Sequence, residues 1–488
     1  MLFHSQPFIF GFLPVSLAGF FLAGRIGGMH WALFWLVAAS LGFYAWWNPP
    51  FVLLLVGSIL VNYGLGQKIF RLAAAWRRHA ARHWLIAGIS ANLFLLGWFK
   101  YADFVLHILA PDAPGMFLFL PLAISFFTFQ QIMFLVDSYR VERQDAGFLP
   151  YAAFVGFFPH LIAGPIVRPR EILPQLTAPF IARPSGEALA TGLTLFLLGL
   201  SKKLVLADTF GSFADAGFKG VAGGAELTFF EAWYAALSYA LQIYFDFSGY
   251  SDMAIGLARM LNVEFPPNFD SPYQARSVAE FWRRWHMTLS RFLRDYVYVP
   301  LGGNRLGERR RMLNLMLTML LGGLWHGADW RFVLWGGLHG LYLIIHAAWE
   351  RRCWRMPTVP AHALMLVAVV VAWVPFRADS MSAAAGMLAG MAGLHGIALP
   401  VMIVQFIPLL GWVAAPVPLL PYLGDARTLS FPEVSVCLLF GWAIVLALPN
   451  TQTMTRRGRE WAVTASFAFG VQALFFAPQV APFLYFRF

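Results

Sequence analysis

Charge is scarce in this sequence: 12% of its 488 residues are Asp, Glu, Lys or Arg, against 59% hydrophobic. Soluble domains carry about a quarter charged residues, so an ordinary soluble fold is excluded. Cysteine is nearly missing too. Cys353 and Cys437 are the only two, too few for a disulfide framework or a Cys-rich metal site, and they leave the redox compartment undecided. Acidic residues number 24 against 35 Lys and Arg, a formal net charge of +11. That balance can mark a nucleic-acid partner, but here the basic residues fall in short clusters between apolar runs. Such clusters are what the positive-inside rule places in cytoplasmic loops, and they argue for no nucleic acid. Signatures that would name a chemistry outright are missing as well. There is no HExxH, CxxC, GxSxG or P-loop, and His326, His339 and His346 lack the spacing of a zinc helix, so no metal is expected.

What the chain does have is hydrophobic length. Mean hydropathy is +0.64. Apolar segments lie near 8–24, 31–47, 50–65, 84–108, 116–136, 150–167, 188–207, 229–247, 312–326, 330–349, 361–376, 384–412, 431–449 and 461–484. This pattern predicts an all-α, polytopic integral membrane protein. A span needs about 20 residues at ~1.5 Å each, and several segments are shorter, so roughly ten to twelve full spans are expected, the remainder being re-entrant, tilted or broken.

The first segment has no basic lead-in and is followed by Arg25, which reads as a retained span with its N-terminus outside. The turn Asn48-Pro49-Pro50 then lies outside, and the loop holding Lys68, Arg71, Arg77, Arg78 and Arg82 lies inside. Pro111 to Gly115 returns outside. Arg140 to Arg143, Arg168 to Arg170 and Lys202-Lys203 fall inside if Phe157 to Val167 dips in and returns.

Between Asp270 and Arg311 lie nine arginines: Arg276, Arg283, Arg284, Arg291, Arg294, Arg305, Arg309, Arg310 and Arg311. At roughly 2.5–3.5 kcal/mol for each centrally placed Arg, this stretch cannot cross a bilayer. Trp285, Leu289, Phe292 and Tyr296 recur at helical spacing. The expected element is an amphipathic helix in the cytoplasmic interface, with His286 on the flank of its apolar face.

The next apolar run, MLNLMLTMLLGGLWHG, carries His326. Counted from Met312, the residues up to Trp325 rise about 21 Å, which leaves His326 inside the bilayer. Gly322, Gly323 and Gly327 permit close approach of backbone or substrate and end the helix there. An ionisable residue at that depth needs a partner or a polar cavity; bonding to a neighbouring carbonyl is the structural alternative to chemistry. A base without an internal nucleophile points to transfer between two bound substrates, the histidine deprotonating an acceptor hydroxyl. His326 is therefore a candidate catalytic residue; His286 is the second candidate, with an interfacial histidine that does no chemistry as its alternative.

The motif QIYFDFSGYSD adds Asp246 and Tyr250, four apart on one helix face, and likewise Ser248 and Asp252, unless Gly249 breaks the helix. Asp246 or Asp252 could orient a histidine; pairing with an arginine of the Arg283 cluster is the alternative. Asp246, Tyr250, Arg283, Arg284 and Trp325 are the candidate substrate contacts. The arginines would attract a phosphate-rich donor, and individually they also suit anionic lipid headgroups. Trp325, Trp330 and Trp335 read first as packing and interface aromatics.

An ordered set of motifs resembles one family along almost the whole chain. These are WNPPFVLLL from Trp47, LLGWFKYADF from Leu95, LPLAISFFTFQQIMFLVDSYR from Leu120 and FFPHLIAGPIVRP from Phe157. They continue with LQIYFDFSGYSDMAIGLARML from Leu241, EFWRRWHMTLSRFLRDYVYVPLGGNR from Glu280, LLGGLWHGADWRFVLWGGLHG from Leu320 and AWVPFRA from Ala372. Together they resemble the membrane-bound O-acyltransferases, specifically the membrane subunit of alginate O-acetylation. Pro375 and Ala123 depart mildly from the pattern, and about Leu394 to Pro432 matches little of it.

The resemblance implies a single domain over 1–488, with N-terminal spans to 110, a core over 111–349 and C-terminal spans from 350. It implies a helical fold with re-entrant and interfacial helices around a tunnel, in which His326 matches the essential membrane histidine and His286 the second polar position. It further implies a multi-pass enzyme of the bacterial inner membrane, with acetyl-CoA as donor and no bound cofactor. The acceptor is expected to be alginate or another exopolysaccharide, reached through a periplasmic acetyltransferase partner with a Ser-based site. Bacterial cellulose is the close alternative polymer, and D-alanyl transfer to teichoic acid a more distant one. From another class, a transporter with a histidine-lined path remains open, though the hydropathy pattern shows no internal repeat.

Overall fold

The apolar runs fold into helices. A computed structural model describes residues 1–116, 118–142, 147–406, 409, 411, 415–417 and 431–453. Arg143, the 461–484 segment and about half of the stretch from Leu394 to Pro432 lie outside the described residues. The N-terminal helices are α1 (Leu13–Ala45), which continues a π-helical turn (Pro7–Phe12), α2 (Pro50–Ala74), α3 (Arg78–Leu109) and α4 (Ile124–Arg140). Short helices follow, α5 (Phe148–Gly156), α6 (Phe158–Leu161) and α7 (Pro169–Leu176), and then α8 (Gly186–Ser201), α9 (Asp208–Ala222) and α10 (Phe229–Met260). After these come α11 (Val278–Arg284), α12 (Met287–Leu293), α13 (Glu308–His326), α14 (Trp330–Arg351), α15 (Thr358–Arg377) and α16 (Met381–Met391). The last described elements are β1 (Ala398–Pro400), α17 (Val401–Phe406), β2 (Ala415–Val417) and α18 (Phe431–Ala447). The two short strands pair in parallel, Ala398 opposite Ala415.

Among the described residues six helices are long and apolar enough to cross a membrane, fewer than the ten to twelve expected: Pro7–Ala45, Pro50–Ala74, Arg78–Leu109, Gly186–Ala222, Trp330–Arg351 and Thr358–Arg377. The 461–484 segment lies outside the described residues, and the rest of the difference has physical causes. Pro7–Ala45 holds two of the apolar segments in 39 residues, roughly 58 Å at ~1.5 Å per residue, nearly twice the hydrocarbon thickness. It breaks at Gly28, where φ 74° and ψ −165° are open to glycine. Other apolar segments make helices that are short, such as the 17 residues of α4, or that carry charge, such as α10 with Glu231, Asp246, Asp252 and Arg259. Gly249 does not break α10.

The chain divides into two compact units whose limits differ from the boundaries at 110 and 349 expected from the sequence: Met1–Leu200 with Tyr250–Pro267, and Ser201–Gly249 with the described residues from Asn268 onward. In the first unit Phe3 stacks on Tyr250 at 4.7 Å, and Asn62 and Asn92 exchange amide hydrogen bonds of 3.2 and 2.6 Å between α2 and α3. Pairing the two amides satisfies groups that would be costly alone in an apolar bundle.

The second unit is organised by the α13–α14 hairpin. Close packing here depends on glycine: a Cβ on Gly323 would lie 2.2 Å from the Phe332 carbonyl oxygen, and one on Gly336 would lie 2.4 Å from that of Met319. Asp329 stops the turn by capping α14, accepting from the Arg331 N–H at 2.8 Å. Elsewhere in this unit the buried Arg377 pairs with Asp215.

Candidate active site

His326 is the last residue of α13, capped by an extended Gly327 (φ −164°, ψ 151°). The helix therefore ends where the sequence placed its end. The glycine-mediated approach of α14 brings Trp335 to 5.0 Å from the His326 ring, and Phe376 of α15 stands at 5.1 Å, both edge-on. Trp325 completes the wall at 4.9 Å. His326 is buried at 5% exposure.

His286 is not on a continuous amphipathic helix. Helix α11 stops at Arg284, Trp285 is extended, and His286 adopts a left-handed conformation (φ 41°, ψ 54°) before α12 begins. The break is made by distant backbone: the Asp270 N–H donates to the Arg284 carbonyl and the Met287 N–H to the Asn268 carbonyl, each at 2.9 Å. These bonds take residues that local periodicity would keep helical and pair them with the segment before α11.

The result is a buried imidazole, 1% exposed, packed edge-on against Phe247 at 4.7 Å and 6.2 Å from the Trp325 ring. Its Nδ1 lies 3.0 Å from Asn268 Oδ1. Burial pushes its pKa down to about 3, so it is neutral at physiological pH. His286 and His326 thus meet the same tryptophan, and Trp325 is a wall of the site.

A third histidine joins them. His339 on α14 lies 4.9 Å from Trp335 and accepts a hydrogen bond from Trp282 Nε1–H at its Nδ1, 3.2 Å away. From the sequence alone His339 reads only as a possible metal ligand, and Phe376 carries no functional signal. The available signal was Trp335 and His339 four apart, on one face of the helix that follows His326.

The remaining candidates separate. Asp246 forms an ion pair with Lys203, 2.9 Å away, which also reaches Asp208 at 2.8 Å. Lys203, expected in a cytoplasmic loop, is buried at 2% exposure. Tyr250 belongs to the first unit, stacked on Phe3. Arg283 is exposed and donates to Ala279 of its own helix; Arg284 pairs with Glu280 at 2.8 Å. Burial works against the Glu280 carboxylate, but the Arg276 N–H and Arg284 outweigh it and hold its pKa below the usual range. Trp335 is buried in the aromatic cluster and Trp330 is exposed.

A cavity of about 260 Å³ adjoins the cluster. Arg294, Arg311, Tyr298 and Asn304 border it, but the surface it presents is almost wholly apolar, with Leu293, Leu315, Met319, Leu343 and Trp282 in its walls. Trp282 belongs both to this lining and to the His339 hydrogen bond. Such a space suits an apolar segment of a ligand.

Comparison with known proteins agrees with the motifs. The family model for MBOAT, the membrane-bound O-acyltransferase family, matches residues 115–376. A peptidoglycan O-acetyltransferase of Helicobacter pylori is 44% identical over 434 residues, 82% of this chain and 81% of that protein. A probable alginate O-acetylase of Pseudomonas aeruginosa is 41% identical over 394 residues, 79% of this chain and 73% of that protein. A teichoic acid D-alanyltransferase of Streptococcus thermophilus is 30% identical over 246 residues, 47% of this chain and 58% of that protein.

Proposed function

The chain belongs to the membrane-bound O-acyltransferase family, and from that premise we propose that it carries acetyl groups from cytoplasmic acetyl-CoA across the bacterial inner membrane for O-acetylation of an exported polysaccharide. The observation that supports this most is the placement of His326 and His286 against one tryptophan inside an aromatic shell. In this reading His326 removes the proton of an acceptor hydroxyl while its oxygen attacks the thioester carbonyl; the C–O bond forms, the C–S bond breaks, and the proton passes to the leaving thiolate. The cavity would receive an apolar part of the donor, with Arg294 and Arg311 at its border to meet the phosphates. With no GxSxG elbow in the chain, the direct acceptor is the serine of a periplasmic acetyltransferase, which passes the group to the polymer.

Alginate is the first candidate polymer. Peptidoglycan is a second reading, favoured by the 44% identity to a peptidoglycan O-acetyltransferase. The test is reconstitution in liposomes with acetyl-CoA. The chain alone should release acetate slowly, and polymer esters should accumulate only when the partner is added, on alginate or on peptidoglycan. Efficient acetylation of a free oligosaccharide by the chain alone would overturn the relay.

A further inference from the structure

His286 has two ring nitrogens, and the one that carries its proton decides what it can do. Asn268 is fully buried, and its Oδ1 accepts from the Thr288 backbone N–H at 3.3 Å and the Thr288 hydroxyl at 2.8 Å. A backbone N–H can only donate, so this atom of the amide is the oxygen. The same oxygen lies 3.0 Å from His286 Nδ1. Facing an acceptor, Nδ1 must carry the proton. Nε2 of the neutral ring then holds the lone pair, and it is buried without a hydrogen-bond partner among the described residues.

The structure assigns Asn268 a positioning role: it fixes His286 as the Nδ1–H tautomer, so that Nε2 is a hydrogen-bond acceptor for substrate and cannot be a neutral oxyanion donor. The backbone supports the same arrangement, since the Asn268 carbonyl also receives the Met287 N–H at 2.9 Å. Side chain and main chain of one residue therefore hold both the ring of His286 and the break in which it sits. The rings facing His286 from other elements, Phe247 and Trp325, do not titrate. The ionisable neighbours along these contacts are His326, beside Trp325, and Arg284, which is paired with Glu280. An acceptor at Nε2 suits the hydroxyl or amide N–H of a substrate. This inference rests on the acyl-transfer reading for its use, while the tautomer can be measured without turnover.

The experiment uses full-length protein with ¹⁵N-labelled histidine in lipid nanodiscs, the His286 signals being identified by their loss in His286→Gln. At pH 7.5 the wild type should show protonated Nδ1 and bare Nε2. Asn268→Asp keeps the acceptor oxygen for Thr288 and His286 but adds a negative charge. It should keep the tautomer and raise the pH at which the ring protonates, and with it the acid limb of acetyl transfer, by about one unit or more. Asn268→Leu should mix the tautomers and lower kcat by about tenfold or more with little change in KM. A wild-type ring protonated at Nε2, or an Asn268→Asp ring that titrates where wild type does, would overturn the assignment. Loss of acetyl transfer in every sample with the tautomer as stated would instead count against the proposed reaction.

Discussion

Lys203 Nζ stands 2.9 Å from Asp246 Oδ1 and 2.8 Å from Asp208 Oδ1, with the Lys203 side chain 3% exposed and that of Asp246 1%. Breaking a buried ion pair by removing one partner costs about 3–5 kcal/mol, because the charge left behind has no water to receive it. Lys203→Met, which takes a buried cation from two carboxylates, should lower the apparent Tm in nanodiscs by several degrees. Asp246→Asn should lower it less, since Asp208 still neutralises the lysine. A Lys203→Met protein that melts with wild type would show the pair to be incidental.

Neighbouring glycines on α14 should differ sharply. A Cβ on Gly336 would meet the Met319 carbonyl oxygen at 2.4 Å, and one on Gly337 would meet only a Leu320 methyl at 3.8 Å. Gly336→Ala should force the hairpin apart, at a cost of about 1–3 kcal/mol, and displace Trp335 from His326. Gly337→Ala should be tolerated. Comparable folded yield and activity of the two variants would contradict the packing described.

Acid should destabilise the fold partly through His286. Its folded pKa is pushed from 6.5 to about 3 by burial, so the unfolded chain binds the proton more readily. The sign follows: the stabilising contribution is complete above pH 6.5 and is lost as pH falls through 6.5 toward 3, with a slope up to about 1.4 kcal/mol per pH unit. Apparent melting temperatures between pH 7.5 and 5 should fall more steeply for wild type than for His286→Gln. Parallel slopes would mean that His286 does not resist protonation.

The sequence carried the helical class, the membrane setting and the end of α13, because hydrophobic length and glycine placement are local signals. It did not carry the break at Trp285-His286. The period linking Trp285, Leu289, Phe292 and Tyr296 is unbroken in sequence, and backbone bonds from Asn268 and Asp270 override it. Lys203 was hidden for a related reason. Beside Lys202 it reads as a topology signal, and only the packing of α10 on its segment reveals the carboxylate that holds it. His339 and Phe376 escaped because membership of a site depends on which helix faces pack together.

His326 carries the central claim, that the aromatic shell holds a base for acyl transfer. The most direct measurement is single-turnover transfer of labelled acetyl from acetyl-CoA to the partner protein in proteoliposomes, comparing wild type with His326→Ala at matched membrane abundance. If His326 is the base, transfer should fall about 10²–10⁴-fold with the protein still folded and inserted. Transfer by His326→Ala at the wild-type rate would contradict it.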